Sequence, residues 1–263
     1  MLVNSRMNIV FVGAGRLATN LAKALREKGH TITAVYSRTK VSASALTCVV
    51  GGSPTDDISA LPIKADAFII AIKDSALTTI IPQLTKGREE QFFLHTAGSM
   101  PLSVFEGYAP NAGVFYPMQT FSKERTVDFS HLPIFIEATN KETLRLAETI
   151  AFTVSDSVRF LSSESRRYLH LAAVFACNFA NHCYALSAEI LQRHGIPFEV
   201  MQPLIDETAE KVKTLSPREA QTGPAVRYDE NVINAQMELL ADTPDIQQLY
   251  ALMSKSIHHL AHD

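Results

Sequence analysis

The chain has 263 residues, 46% hydrophobic and 19% charged, with a formal net charge of −3. That length suits one to two domains with a core large enough to stand without staples. Eleven glycines and twelve prolines are too few for a collagen-like or low-complexity chain, and the missing basic excess argues against a general nucleic-acid surface.

The longest apolar runs, such as Leu171 to Cys177, are far short of the ~20 residues of a membrane helix. The start, MLVNSRMNIVFVGAG, reads as a strand entering a glycine turn rather than as a signal peptide. Three cysteines without CxxC spacing, Cys48, Cys177 and Cys183, are expected as reduced thiols, with the cytoplasm as the expected compartment. Charge divides unevenly: net +2 over residues 1–155 and −5 over 156–263.

In chain order, NIVFV (8–12) predicts a strand, and GAGRLA follows at Gly13 to Ala18. An amphipathic helix from Arg16 to Lys28 closes at Gly29, and ITAVY (32–36) returns as a second strand. AFIIAI (67–72) predicts a strand buried on both faces. Residues 91–95, 112–116, 133–137 and 157–161 add strands, with helices at 74–81 and 141–152. This alternation predicts an α/β fold, a Rossmann-type, mostly parallel sheet covered by helices.

From Glu164 to His194 there is neither proline nor glycine, which predicts one helix of about 31 residues, ~46 Å long. Further helices are expected near 198–214 and 230–240, then one opened by Thr243-Pro244. The layout is a Rossmann-like dinucleotide-binding domain over 1–162 and an all-α substrate and dimerisation domain over 163–263.

GAGRLA fits G-x-G-x-x-G/A between a strand and a helix, the context that lifts a common pattern to a dinucleotide site. Gly13 serves the tight turn, Gly15 lets backbone approach a pyrophosphate, and Ala18 allows close helix–sheet packing. Ala14 and Leu17 belong to the same turn. Arg16, a cation in a helix's first turn, opposes the macrodipole unless a phosphate lies beside it. The alternative is a βα turn that holds no ligand. The window after the second strand, Tyr36-Ser37-Arg38-Thr39-Lys40, has no carboxylate for a ribose 2′-hydroxyl but two hydroxyls and two cations. Ser37, Arg38 and Thr39 therefore point to NADP(H) rather than NAD(H).

Ligands of open α/β sheets sit at strand carboxyl ends. Three such ends are polar: IKDSAL (72–77), HTAGSMP (95–101) and YPMQTF (116–121). Ile72, Lys73, His95 and Thr96 are cofactor-binding candidates, and Ser99 is a catalytic candidate. On the long helix, 3.6-residue spacing places His170, Cys177, Asn181, Tyr184 and Ala188 on one face, with Asn178 about 80° round from His170. A histidine there could supply the proton that follows hydride transfer; the other reading is a core histidine held by helix–helix hydrogen bonds. In TGPAVRYD (222–229), Asp229 is the expected N-cap of the next helix and Arg227 a structural clamp before a carboxylate binder. His258, His259 and His262 read as a solvated tail, not a metal site.

GAGRLA, HTAGS, YPMQTF, YLHLAAVFACNF and TGPAVRYD, in that order, resemble the Rossmann-like NADP oxidoreductases that carry an uncharacterised all-helical C-terminal domain. The resemblance covers essentially the whole chain. That family is similar in architecture to pyrroline-5-carboxylate reductase, deazaflavin-dependent NADP oxidoreductase and the β-hydroxyacid dehydrogenases. In the last group a lysine and an asparagine on the first long helix of the C-terminal domain carry proton transfer and substrate orientation. No lysine lies on Glu164–His194, so the resemblance implies His170 and Asn178 as the catalytic pair. It also implies NADP(H) as cofactor, a small carbonyl or imine compound as substrate, and a homodimer formed through the helical domain. A protein that binds NADP(H) as a redox or metabolite sensor, without chemistry, is the alternative.

Overall fold

The computed structural model describes residues 6–262; the first five residues of the N-terminal segment weighed above as a signal peptide lie outside them. The chain forms two compact units, Met1–Cys177 and Asn178–Asp263.

The first unit is built on an eight-stranded sheet. Its strands are β1 (Asn8–Val12), β2 (Thr31–Tyr36), β3 (Ser53–Thr55), β4 (Ala67–Ile70), β5 (Phe93–His95), β6 (Ala112–Pro117), β7 (Ile134–Ala138) and β8 (Val158–Phe160). Their order is β3-β2-β1-β4-β5-β6-β7-β8. All neighbouring pairs are parallel except β6 and β7. The order reverses between β1 and β4, so a crevice opens at their carboxyl ends, the position in which doubly wound sheets hold ligands. On β1, Ile9 and Phe11 enter one apolar cluster while Val10 and Val12 enter another. This alternation buries the strand on both faces and explains its unbroken apolar sequence.

Helices α1 (Arg16–Glu27), α2 (Lys40–Val50), α3 (Asp74–Thr85) and α4 (Lys141–Val154) cover the sheet. The 67–72 strand ends at Ile70, and α3 runs four residues past the expected end at 81. Strand β3 and helix α2 have no counterpart in the sequence reading. Both are weakly marked: α2, KVSASALTCVV, is rich in β-branched residues and small hydroxyls, and β3 has three residues.

The helical run after Ser162 belongs to both units. Helix α5 (Ser163–Ala173) gives way to a π-helical segment, Val174–Phe179, and then to α6 (Ala180–Arg193). The uniform α-helix expected over 164–194 is thus interrupted, and a π segment advances fewer degrees per residue than an α-helix. The 3.6-residue face drawn from His170 to Ala188 therefore does not hold across it. α5 stays with the sheet because Arg166 donates to Glu137 on β7 and to the Met100 carbonyl.

In the second unit, α7 (Gln202–Thr214), α8 (Pro217–Ala220), α9 (Pro224–Arg227), α10 (Glu230–Glu238) and α11 (Pro244–His262) follow α6. Asp229 caps α10, accepting from the Val232 amide as expected. Tyr228 takes a left-handed conformation at φ 50°, a strained setting for an aromatic residue. The C-terminal histidines are not a loose tail: α11 extends through His262, and His258 Nδ1 donates to the Val226 carbonyl at 3.2 Å while its ring packs on Tyr228. Arg227 is exposed. Among the described residues no helix is long and apolar enough to cross a membrane, and no group of three His, Cys, Asp or Glu could hold a metal ion.

Candidate active site

A cavity of about 680 Å³ in the first unit follows the carboxyl ends of the central strands. One end is the glycine turn, where Gly13, Ala14, Gly15, Arg16 and Leu17 all face it, with Ser37, Arg38 and Ser42 beside them. Ile72, Lys73 and Asp74 line its middle, and Thr96, Gly98, Tyr116 and His170 the other end.

The three small residues of the turn play distinct parts. Gly13 has φ 121°, and a β-carbon on it would lie 2.8 Å from the carbonyl carbon of Ala71, the residue after β4, so the backbone there approaches too closely for any side chain. Its amide donates to the Tyr36 carbonyl at 2.8 Å, tying the turn to β2. Ala18, in the first turn of α1, is fully buried. Gly15 is different: nothing stands within 4 Å of where its β-carbon would be.

That open space over Gly15 is the cradle a pyrophosphate would need. Gly15 caps α1 without a side-chain hydrogen bond, and no acidic residue occupies the first turn. The amides there are left for an external acceptor, with the helix dipole favouring negative charge. Asn20 holds the opposite loop onto α1, donating to the Ser122 carbonyl at 2.8 Å and accepting from the Val127 amide at 3.1 Å. The residues present fit a dinucleotide.

Several expected cofactor contacts fall elsewhere. Thr39 does not line the cavity; its hydroxyl caps α2 and donates to Ser42 Oγ at 2.9 Å, and Ser42 takes the lining position. His95 is fully buried and does not reach the cavity. Strand alternation turns it toward the apolar cluster that holds Val10 and Val12, where it stacks on Phe105 and its Nδ1 accepts from the Ala97 amide at 3.2 Å. Burial, helped by the nearby charge of Arg166, pushes its pKa down to about 3, so it is neutral. Ser99 is exposed and outside the lining, but its hydroxyl hydrogen-bonds Asp74, which is in it. Asn178 lies in the second unit, exposed on the π-helical segment.

His170 does face the cavity, and the fold joins it to Tyr116 at the polar carboxyl end of β6. Tyr116 Oη and His170 Nδ1 are 3.1 Å apart, with the rings edge-on. Burial first, and then the charge of Asp74, raise the Tyr116 pKa, against the opposing charge of Arg166. Tyr116 is therefore a phenol at neutral pH. The signal available in the sequence was its place at the carboxyl end of β6; nothing in one dimension showed that α5 comes to meet it.

An open, doubly wound sheet with a glycine turn and a cavity across its strand ends defines a Rossmann-type dinucleotide-binding protein. The comparisons agree. Residues 1–115 match the Rossmann-like domain and residues 132–257 the domain of unknown function DUF2520. The putative NADP oxidoreductase BF3122 from Bacteroides fragilis is 52% identical over 98% of this chain and 100% of its own, with a TM-score of 0.94. The chain belongs to that family. Protein TM1727 from Thermotoga maritima shares the fold at 22% identity, covering 97% of this chain and 100% of its own at a TM-score of 0.80. So does an imine reductase from Myxococcus stipitatus in complex with NADP+, at 14% identity, 97% and 93% coverage and a TM-score of 0.66. A search of curated proteins returns no match.

Proposed function

We propose that the protein is an NADP(H)-dependent oxidoreductase that moves a hydride to or from a small carbonyl or imine compound. The observation that carries this is the cavity itself, which runs from an uncapped helix N-terminus past Arg38 to a tyrosine–histidine pair. The names of the Bacteroides relative and of the Myxococcus reductase support the reading.

When bound, the dinucleotide supplies or accepts the hydride. The chain's own residues do the rest. Gly13 to Leu17 offer backbone and the Arg16 cation to the pyrophosphate. Ser37, Arg38 and Ser42 offer donors to a 2′-phosphate, and the missing carboxylate disfavours the bare ribose. Ile72 and Thr96 border the nicotinamide end. His170 is the source of the proton that the reduced substrate needs. Ser99 acts through Asp74 rather than on substrate. The alternative, a sensor that binds NADP(H) without chemistry, is not favoured by a proton-bearing pair in the cavity.

The protein is also proposed to be a homodimer through its second unit. Among that unit's described residues only Ile233 and Ser254 are buried, whereas Leu204, Leu215, Leu239, Leu252 and Leu260 are exposed. So much apolar surface on one unit calls for cover, and a second copy supplies it symmetrically. Light scattering after size exclusion decides this.

The cofactor reading is tested by titration with NADPH and NADH, following the nicotinamide's own emission, since the chain has no tryptophan. NADPH should bind well ahead of NADH, and Arg38→Ala should cut that preference by about tenfold or more. An unchanged preference would remove Arg38 from the site, and no binding of either would end the enzyme reading.

A further inference from the structure

The geometry points to Tyr116 as the residue that hands the proton to substrate, with His170 as a positioning residue that refills it. This rests on the oxidoreductase reading above and assigns a step within it. At the Tyr116 end of the cavity few groups hold a transferable proton. The Thr96 hydroxyl is spent on the Ile70 carbonyl at 3.3 Å, and Ala71, Ile72 and Ala97 offer no proton from their side chains. Asp74 accepts from Ser99, and Lys73, exposed at the N-cap of α3, lines the middle of the cavity rather than its Tyr116 end. Tyr116 and His170 remain.

Of the two, Tyr116 is the one held by the sheet. It sits on β6, paired with Phe135 of β7 in the ladder and in ring contact with it at 6.5 Å. The backbone of Gly98 packs on its hydroxyl-bearing carbon, where a β-carbon would come within 2.9 Å. A donor fixed on a strand and walled in by Gly98 meets the positional demand of proton transfer. His170, half-exposed on α5, is placed to exchange protons with water.

The step balances as follows. In protonated His170, Nδ1–H donates to Tyr116 Oη, which frees the phenolic O–H to point at substrate. As the carbon of a C=O or C=N bond gains a hydride from reduced nicotinamide, its oxygen or nitrogen takes the Tyr116 proton. The Nδ1 proton passes to the phenolate oxygen, and neutral His170 regains a proton from water. The charged and titratable groups facing the pair are Asp74 from α3, Arg166 from α5 and Cys177 from the π segment.

The test compares wild type, Tyr116→Phe and His170→Gln by imidazole nitrogen NMR and by NADPH titration, with His170→Gln assigning the signal. In neutral wild type the Tyr116 O–H should hold Nδ1 as an acceptor, and in Tyr116→Phe that nitrogen should move to the position of a free one. NADPH affinity should stay within about twofold, because the hydroxyl lies beyond the phosphate end. With 2-methyl-1-pyrroline and acetaldehyde as probes, Tyr116→Phe should lose about 10²-fold or more in kcat. An unmoved His170 signal with NADPH still bound overturns the pair and leaves the oxidoreductase reading standing. A coupled pair in a protein that binds no NADPH overturns that reading and the catalytic role with it.

Discussion

Gly98 faces His170 so closely that a β-carbon on it would lie 2.6 Å from Nδ1. The same atom would crowd Tyr116, so one glycine leaves room for both members of the pair. Its backbone is not left-handed, and the constraint is therefore steric alone. Gly98→Ala should displace the imidazole and break its hydrogen bond to Tyr116, at a stability cost of about 1–3 kcal/mol. Denaturant unfolding gives the cost, and the His170 nitrogen signal shows the displacement. A variant that keeps wild-type stability and an unchanged signal would mean that the loop yields without effect on the pair.

Gly13 and Gly15 separate folding from binding. Gly13→Ala forces a side chain onto the Ala71 carbonyl at φ 121° and should lower stability by several kcal/mol, about 2–4, with reduced soluble yield. Gly15→Val puts its side chain into open space, so the melting temperature should hold while NADPH affinity falls about tenfold or more. Equal loss of stability in both variants would contradict this division of labour.

The central sheet, its helices and the glycine turn were legible because their signals are local. An apolar run on β1 marks burial on both faces, and a glycine that must turn left marks the β1–α1 junction. The far end of the site was not legible for the opposite reason. Tyr116 and His170 are 54 residues apart and meet only because α5 returns to β6. His95 misled because β5 has just three residues, too few for alternation to show which face its polar end takes. The π-helical turn left no mark in VFACNF, whose composition is that of an ordinary helix. The cavity could be placed at strand ends in advance, but its second wall came from contacts across the fold.

Arg166 anchors the helix that carries His170. It is fully buried, with one nitrogen 2.7 Å from Glu137 Oε2 and another 2.7 Å from the Met100 carbonyl. Burial would raise the Glu137 pKa, yet hydrogen bonds from Ser163 and Arg166 outweigh it and hold the carboxyl below its usual range. Arg166 and His170 are one helical turn apart, so the clamp sets the height of the imidazole. Arg166→Met strands a partly buried carboxylate and should cost about 3–5 kcal/mol. The double variant Arg166→Met, Glu137→Gln should recover part of that loss in urea unfolding. No recovery would mean that the arginine's contacts to Met100 and Ser163, not the ion pair, hold α5.

His95 sets a pH dependence of stability that has nothing to do with catalysis. Its pKa in the fold is about 3, against about 6.5 for an unfolded histidine. Below pH 6.5 the unfolded chain binds a proton that the folded chain refuses, so stability is complete above the unfolded value and is lost as pH falls towards 3. The slope from this one group is at most about 1.4 kcal/mol per pH unit. Between pH 6.5 and 5 few carboxylates titrate, and His30, also shifted down by burial, adds in the same direction. Urea unfolding of wild type and His95→Gln across that window should give a steeper fall for wild type. Parallel curves would mean that the His95 pocket admits the proton, through water or through movement of the 95–101 loop.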